Sequence, residues 1–178
     1  HITSLWASKF LTSSHIVGLS SGLISYVICS WILPLNKCII FLQSGNNDFI
    51  RLSKHEYGFC IADVSGKGMA AAILMSNFQA SLRALFTSSI ALPDIITRLN
   101  DSIMNNAKGE KFITFFIGRY NSKTKKLSYV NAGHNPPVFF NSNLKQTNML
   151  NHGCFGLGMF DEIPKIDEGT IDVQKGDR

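Results

Sequence analysis

Apolar and polar positions alternate along the chain in a way that predicts short strands around two helices. Tyr57–Ala62 is an apolar run after a polar turn, which predicts a buried strand. A helical period then predicts a helix over 66–86, and a second helix from Pro93 to a stop at Gly109. The apolar residues of the first helix share one face: Leu74, Phe78, Leu82 and Leu85. The stripe of the second helix consists of Ile95, Ile96, Leu99 and Ile103.

Further strands are predicted after the helices. Phe112–Tyr120 is dense in aromatic and β-branched residues, and Leu127–Asn131 alternates after a polar turn, which is typical of a hairpin. Val138–Phe140 and Thr170–Val173 are predicted as two more short strands. Two helices followed by a run of hairpins indicate an α+β fold.

Residues 1–45 differ from this pattern and are treated as an atypical apolar segment, separate from a domain over 46–178. The stretch 16–33 carries no charged residue and has Lys9 and Lys37 as its only basic flanks. Three interpretations remain open: a buried hairpin, a membrane helix of marginal length, and a leader foreign to the domain. The chain begins at His1 and ends at Arg178, and we expect both ends to be cuts through a longer protein.

Composition and charge exclude few classes of function. Hydrophobic residues make up 45% of the chain and charged residues 16%, and the net charge is +5. Because the basic residues are scattered, we expect no nucleic-acid binding. Four cysteines are present without a Cys-x-x-Cys pair or zinc spacing, so a reducing cytoplasm is the expected location.

Asp63 is the first candidate for chemistry. It follows the apolar strand and precedes a turn containing Gly66 and Gly68. A carboxylate fixed there is a suitable ligand for Mg²⁺ or Mn²⁺, whereas a helix-capping aspartate is the simpler interpretation and the one that pattern alone favours. The pair Gly66-Lys67 lacks the other residues of a phosphate-binding loop, so nucleotide binding is not expected.

Four segments of the chain, taken in their order, resemble the motifs of a known protein family. They are Ile-Ala-Asp-Val-Ser-Gly-Lys-Gly-Met-Ala-Ala-Ala-Ile-Leu-Met-Ser at 61–76, Phe-Ile-Thr-Phe-Phe-Ile-Gly-Arg-Tyr at 112–120, Leu-Ser-Tyr-Val-Asn-Ala-Gly-His-Asn-Pro-Pro at 127–137, and Gly-Cys-Phe-Gly-Leu-Gly at 153–158. Together they resemble the bacterial PPM-type metal-dependent serine/threonine protein phosphatases of the SpoIIE/RsbU branch.

The resemblance implies a four-layer αββα sandwich of two antiparallel sheets flanked by helices, truncated here. It implies a dinuclear Mn²⁺ or Mg²⁺ centre, where an activated water attacks the phosphorus of phosphoserine or phosphothreonine. The implied partners are a phosphorylated regulatory protein of the anti-sigma-factor-antagonist type and an upstream sensor domain. The implied setting is cytoplasmic bacterial signalling, with a membrane tether allowed by residues 16–33.

Metal ligands carry over from the resemblance residue by residue. Asp63 matches the catalytic aspartate that bridges both metals, and Val64 matches the position whose backbone carbonyl is a further ligand. The family's Gly-Gly-Asp motif has two alignments here: a gapped one makes Asp48 a ligand, and an ungapped one puts Gly45 in the ligand position. The family's remaining aspartates fall beyond Arg178, and Asp177 is interpreted as a turn residue.

Other site residues are assigned supporting roles. His134 lies in a turn flanked by Gly133, Asn135 and prolines, so His134 and Asn135 are interpreted as positioning the loop. Acid–base catalysis is the alternative role of His134. Lys67 is assigned to steering the phosphate toward the cleft, with a solvated helix-start lysine as the alternative.

Two functions remain in competition. One is an active phosphatase, and the other is a degenerate module that binds a phosphoprotein without efficient hydrolysis. We expect this chain on its own to bind metal weakly and hydrolyse poorly, because one or two carboxylates leave most of a cation's ligand positions to water. A further hypothesis makes the helix that follows Asp63, with the next helix, the regulatory switch of the site.

Overall fold

The computed structural model describes residues 50–107 and 109–178 in full, and 25–29 and 38–42 as backbone. The strands are β1 (Ser25–Cys29), β2 (Cys38–Leu42), β3 (Ile50–Arg51), β4 (Glu56–Val64), β5 (Ile113–Asn121), β6 (Lys126–Ala132), β7 (Val138–Asn141), β8 (Gln146–Met149), β9 (Gly153–Cys154) and β10 (Gly169–Asp172). The helices are α1 (Met69–Leu85) and α2 (Leu92–Ala107).

A large sheet in the order β1-β2-β4-β5-β6-β10 organises the described part of the chain. Its neighbouring strands are antiparallel, while β3 pairs with β4 and the short β9 runs parallel to β6. The β4–β5 ladder is the longest, and its register pairs Ile61 with Phe116 and Asp63 with Thr114. Because cross-strand partners share a face, these four side chains project from the same side of the sheet.

The two helices cover the opposite side of the sheet. Ala62 and Val64 of β4 and Phe115 and Ile117 of β5 alternate toward the helices and are fully or almost fully buried. Phe78 of α1 meets Phe115 edge to face, with ring centroids 5.1 Å apart. This first core joins α1, α2 and the large sheet into one packed unit.

A second core lies on the other face, under the small β7–β8 sheet. Phe139 of β7 and Leu150 pack there against Phe116, Leu127 and Tyr129 of the large sheet. The rings of Phe116 and Tyr129 stack with centroids 5.6 Å apart. Helix, large sheet and small sheet therefore form three successive layers in the described residues.

The α+β prediction is confirmed, as are both helices and the strands that alternation predicted. In the first stripe Leu74, Phe78 and Leu82 are buried, and all four residues of the second stripe are buried. The first helix begins at Met69 rather than at 66. Gly66 and Gly68 have φ values of +83° and +82°, which are not helical, so the helix cannot extend back to residue 66.

Most of the stretch 16–33 lies outside the described residues. Its described portion, β1, pairs antiparallel with β2, which in turn pairs with β4. No helix within the described ranges is both long enough and apolar enough to cross a membrane.

Candidate active site

Asp63 lies at the end of β4 on the face that β4 presents to the second core. It is half-buried, and its Oδ1 atom is shielded from solvent. Thr114 is its partner on β5, and the backbone of Ile39 is its partner on β2. The residue that carries the Asp63 carboxylate is therefore flanked by β2 and β5, at one end of the space between the large sheet and the β7–β8 sheet.

The helix-cap interpretation of Asp63, which pattern alone favoured, is wrong. The N-cap of α1 is Gly68, and it makes no side-chain capping hydrogen bond. The residues from Ser65 to Gly68 separate the carboxylate from the helix, so Asp63 belongs to the strand end rather than to the helix start.

The turn after Val64 is fixed to the start of β5. The Ser65 N–H donates to the Phe112 carbonyl at 2.8 Å, and the Phe112 N–H donates to Ser65 Oγ at 2.8 Å. Lys111 Nζ lies so close to the turn that a Cβ on Gly66 would be 2.9 Å from it. Lys67 is exposed beside it. Two lysines thus flank the turn next to Asp63, which suits an anionic ligand.

Thr114 connects the strand end to His134. Its Oγ1 lies 3.0 Å from His134 Nδ1 and 3.4 Å from the Asp63 carbonyl oxygen. A threonine hydroxyl has one proton, so donation to the carbonyl requires a protonated Nδ1, whereas donation to Nδ1 requires an unprotonated one. The hydroxyl therefore links the presence of a proton on His134 Nδ1 to the hydrogen bonding of the Asp63 strand.

Asn131 shapes the turn that carries His134. It is buried, its Oδ1 accepts the His134 N–H at 2.8 Å, and its Nδ2 donates to the Leu150 carbonyl at 3.2 Å. Gly133 adopts φ +66°, which favours glycine. Asn131 and Gly133 thus hold the backbone of this turn, and Asn135 is exposed beyond it. The positioning role of His134 and Asn135 stays a prediction.

The glycine-rich segment 153–158 closes this end of the sheet. Leu157 exchanges backbone hydrogen bonds of 2.9 and 2.8 Å with Ile113. Gly156 approaches Gly133 so closely that a Cβ on Gly133 would lie 2.8 Å from the Gly156 nitrogen. Within the segment, burial raises the pKa of the Cys154 thiol to about 11, so the thiol is protonated and a poor nucleophile at neutral pH.

The donor set around Asp63 suits a hard cation only in part. The carboxylate is one oxygen donor. Because the Ser65 N–H donates to the Phe112 carbonyl, antiparallel alternation directs the Val64 carbonyl away from β5, and its role as a second ligand stays a prediction. Within residues 50–107 and 109–178 no group of three His, Cys, Asp or Glu side chains has the arrangement of a metal site. Asp48, the remaining candidate, lies outside the described residues.

Sequence reasoning missed several residues that shape the site. Thr114 sits in an apolar strand, and Lys111 precedes it without a recognisable motif. Asn131 belongs to the 127–137 segment, whose sequence pattern does not reveal that this residue is buried. Asn100, which binds the loop that ends the glycine-rich segment, had a usable signal, because it is a polar residue inside the apolar stripe of the second helix.

Comparison with known proteins gives a consistent result. Residues 53–178 match the family model of Stage II sporulation protein E (SpoIIE). Phosphoserine phosphatase RsbU of Bacillus subtilis (strain 168) is 32% identical over 98 residues, which are 55% of this chain and 29% of that protein. The chain therefore spans less than a third of the length of this curated relative.

Solved structures of low sequence identity share the fold. RsbX in complex with magnesium superimposes with a TM-score of 0.58 and 16% identity, covering 92% of this chain and 75% of that chain. The PP2C phosphatase domain of Bacillus subtilis SpoIIE, solved with a fragment of its regulatory domain, gives a TM-score of 0.57 and 13% identity over 94% of this chain and 64% of that chain. The predicted fold class is thereby confirmed as that of PP2C phosphatase domains, and the described residues show three of the four predicted layers: the helices, the large sheet and the small sheet.

Proposed function

Because the chain belongs to the SpoIIE family, we propose that it is part of a metal-dependent protein phosphatase that removes phosphate from phosphoserine or phosphothreonine. The observation that carries the proposal is the half-buried Asp63 carboxylate at the end of β4, facing the space between the two sheets. Thr114, His134 and Lys111 are close to the same strand end.

The chain's own residues would act on the phosphoryl group by binding and by holding protons. Lys111 and Lys67 attract the phosphate toward the strand end, because both place a positive charge beside the turn that follows Asp63. His134 is the candidate for proton exchange with the phosphoryl group, and Thr114 Oγ1, 3.0 Å from Nδ1, donates or accepts there according to the tautomer of the ring. Asn131 keeps the His134 backbone in place for this exchange.

Asp63 and the Val64 carbonyl would hold Mn²⁺ or Mg²⁺, with Asp48 as a further candidate ligand. When bound, such a cation acidifies water and offsets the charge of the phosphoryl oxygens. A structural relative that was solved with magnesium supports a divalent cation, and the choice between the two ions belongs to this proposal.

The substrate we propose is a phosphorylated regulatory protein of the anti-sigma-factor-antagonist type in bacterial partner switching. The similarity to the phosphoserine phosphatase RsbU supports this substrate class. We propose a cytoplasmic catalytic domain under the control of an upstream sensor domain, with a membrane tether upstream of the sheet. The boundary at 46 stays a prediction, and β1 and β2 of the segment 1–45 pair into the large sheet beside β4.

A second candidate is a phosphatase-fold module that binds the phosphoprotein and hydrolyses it poorly. It is favoured by the small donor set, in which Asp63 and Val64 are the candidate ligands that lie within the described residues. The two candidates differ in the affinity for metal and in turnover, but they share the docking of a phosphorylated partner.

Replacing Asp63 by asparagine tests the proposal, because the amide keeps the shape of the carboxylate and removes its charge. We expect Asp63→Asn to abolish the heat of Mn²⁺ binding in calorimetry and to lower Mn²⁺-dependent hydrolysis of an aryl phosphate by at least about 100-fold, as for loss of a charged group that stabilises the transition state. The fold should persist, since the residue is only half-buried.

Asp101→Asn is the matched control, because Asp101 is an exposed carboxylate on α2. We expect it to keep the parental metal affinity and turnover. Equal Mn²⁺ binding and turnover by Asp63→Asn and Asp101→Asn would rule out the proposed site. Metal binding without turnover by the parent chain would favour the binding module.

A further inference from the structure

Asn100 is a buried polar residue at a position where the stripe of α2 predicts an apolar one. It is 2% exposed and lies on the same buried face as Ile96 and Ile103. A side-chain amide has two donor hydrogens and an acceptor oxygen, and leaving them unmatched inside a protein is unfavourable. Asparagine at this position therefore implies specific partners.

The partners are backbone groups of the loop that follows the glycine-rich segment. Asn100 Oδ1 accepts the Gly158 N–H at 2.9 Å, and Nδ2 donates to the carbonyls of Phe160 at 3.1 Å and Asp161 at 3.3 Å. Gly158, at φ +83°, packs so tightly on α2 that a Cβ there would lie 2.6 Å from Ile103 Cγ2. One amide thus fixes three backbone groups of the 156–161 loop against the helix.

The fixed loop touches the candidate site at two points. Leu157 is hydrogen-bonded in both directions to Ile113, the residue before Thr114. Gly156 lies in close contact with Gly133, the residue before His134. Each member of the Thr114–His134 pair is therefore one residue away from a contact with the loop that Asn100 holds.

We infer that Asn100 is a positioning residue: through the 156–161 loop it sets the position of His134 relative to Thr114. Asparagine suits this role because it presents an acceptor and two donors at once. Aspartate keeps the acceptor for Gly158 but would oppose two carbonyl oxygens, and alanine removes all three hydrogen bonds. The consequence for turnover rests on the proposed phosphatase function, whereas the positional relation does not.

The test compares Asn100→Ala with Asn106→Ala in the same helix. Asn106 is exposed and its Nδ2 donates to Ser102 within α2, so it is matched in residue type and element but has no described bond to the loop. By nuclear magnetic resonance we expect Asn100→Ala to shift the imidazole nitrogen resonances of His134 and the amides of Leu157 and Gly158. Asn106→Ala should leave the His134 resonances at their parental positions.

Asn100→Asp provides a second variant that keeps the side-chain shape and one of the three bonds. Because it sets a carboxyl oxygen against the Phe160 and Asp161 carbonyls, it should also shift the His134 resonances, and it serves as the test if Asn100→Ala does not fold. A folded Asn100 variant with parental His134 resonances overturns the inference.

A kinetic measurement separates the inference from the proposed function. With Mn²⁺ and an aryl phosphate, we expect Asn100→Asp to lower kcat by about tenfold with little change in KM, because displaced groups slow the reaction more than they weaken binding. Absence of turnover in the parent chain would count against the proposed function alone, and the resonances of His134 would still decide the role of Asn100.

Discussion

Asn131 joins two loops at the candidate site through both ends of its side-chain amide. Its oxygen accepts from the His134 backbone and its nitrogen donates to the Leu150 carbonyl, and its own N–H donates to the His152 carbonyl at 2.8 Å. The side chain is almost completely buried. Loss of the amide would leave polar backbone groups without partners in a part of the protein that water does not reach easily.

Replacing Asn131 by alanine should lower the free energy of unfolding by about 1–3 kcal/mol, the usual effect of leaving buried hydrogen-bonding groups unmatched. Urea-induced unfolding followed by circular dichroism measures the change. Asn148→Ala is the control, because Asn148 is exposed on β8 and its replacement should change stability by less than about 0.5 kcal/mol. Equal effects of the two substitutions would contradict this role for Asn131.

Single residues of the site were predictable where a local pattern marked them. Asp63 stood out because it follows an apolar strand and precedes glycines. Thr114 did not stand out, because its importance comes from the β4–β5 register, which pairs it with Asp63 across a long stretch of chain. Register depends on tertiary packing, so single-residue patterns do not reveal such partners.

Helix α1 connects the Asp63 strand end to the first core. Leu82 is completely buried on its sheet-facing side, and Ala71 near the other end of the helix is also buried. A change of packing along this face is the most direct way for the helix to displace the turn between it and Asp63. The hypothesis of a regulatory helix therefore makes a claim about metal binding as well as about stability.

Leu82→Ala should lower the free energy of unfolding by about 2–5 kcal/mol through the cavity it leaves. If α1 controls the position of Asp63, the folded variant should also bind Mn²⁺ several-fold more weakly in calorimetry. Leu127→Ala is the matched control, because Leu127 belongs to the second core on the other face of the sheet. It should destabilise the protein and leave the affinity for Mn²⁺ unchanged. If Leu82→Ala also bound Mn²⁺ with the affinity of the parent, the hypothesis would lose its support.

A helix or strand was predictable from the sequence when one of its faces is apolar and the other is polar. Helix α2 was predicted almost residue by residue because its stripe is regular and its opposite face is polar. The start of α1 was misplaced because positive-φ glycines interrupt the chain in a way that apolar periodicity does not detect. Strand β8 was missed because all four of its residues are exposed, so it has no buried face to produce alternation.

At the largest scale, the large sheet separates two cores within the residues that the structure describes, and these cores have different origins in the sequence. The first core comes from strong helical stripes and a buried alternation, which the sequence alone predicts. The second depends on the β7–β8 hairpin covering Phe116 and Tyr129. That long-range arrangement followed only from the family resemblance, because short, mostly exposed strands carry little information about which face they cover.

The C-terminal residues bind the small sheet through Asp177. Its Oδ1 accepts the Ser142 N–H at 2.8 Å and the Ser142 hydroxyl at 2.9 Å, and its Oδ2 accepts the Gln174 N–H at 2.8 Å. Phe140 of β7 and Arg178 exchange backbone hydrogen bonds beside this turn. The bond from the Ser142 backbone, followed by that from Gln174, lowers the pKa of Asp177 below its ordinary value of 3.8. This geometry supports the interpretation of Asp177 as a turn residue.

A lowered pKa makes stability depend on pH in a defined direction. Between the ordinary value of 3.8 and the lower folded value, the unfolded chain binds a proton that the folded protein does not, so stability rises with pH. The contribution of Asp177 is therefore complete above this range and is lost as the pH falls through the folded pKa.

Asp177→Asn should remove this contribution, because a neutral amide does not titrate and has one acceptor oxygen in place of two. Urea unfolding measured at several values from about pH 5 down to about pH 2 should show a smaller loss of stability in Asp177→Asn than in the parent, since the titrating group is gone. Asp161→Asn removes an exposed carboxylate elsewhere and should retain the parental dependence on pH. The same steep acid dependence in Asp177→Asn as in the parent would mean that other carboxylates, and not the turn between Ser142 and Gln174, determine the acid stability of the protein.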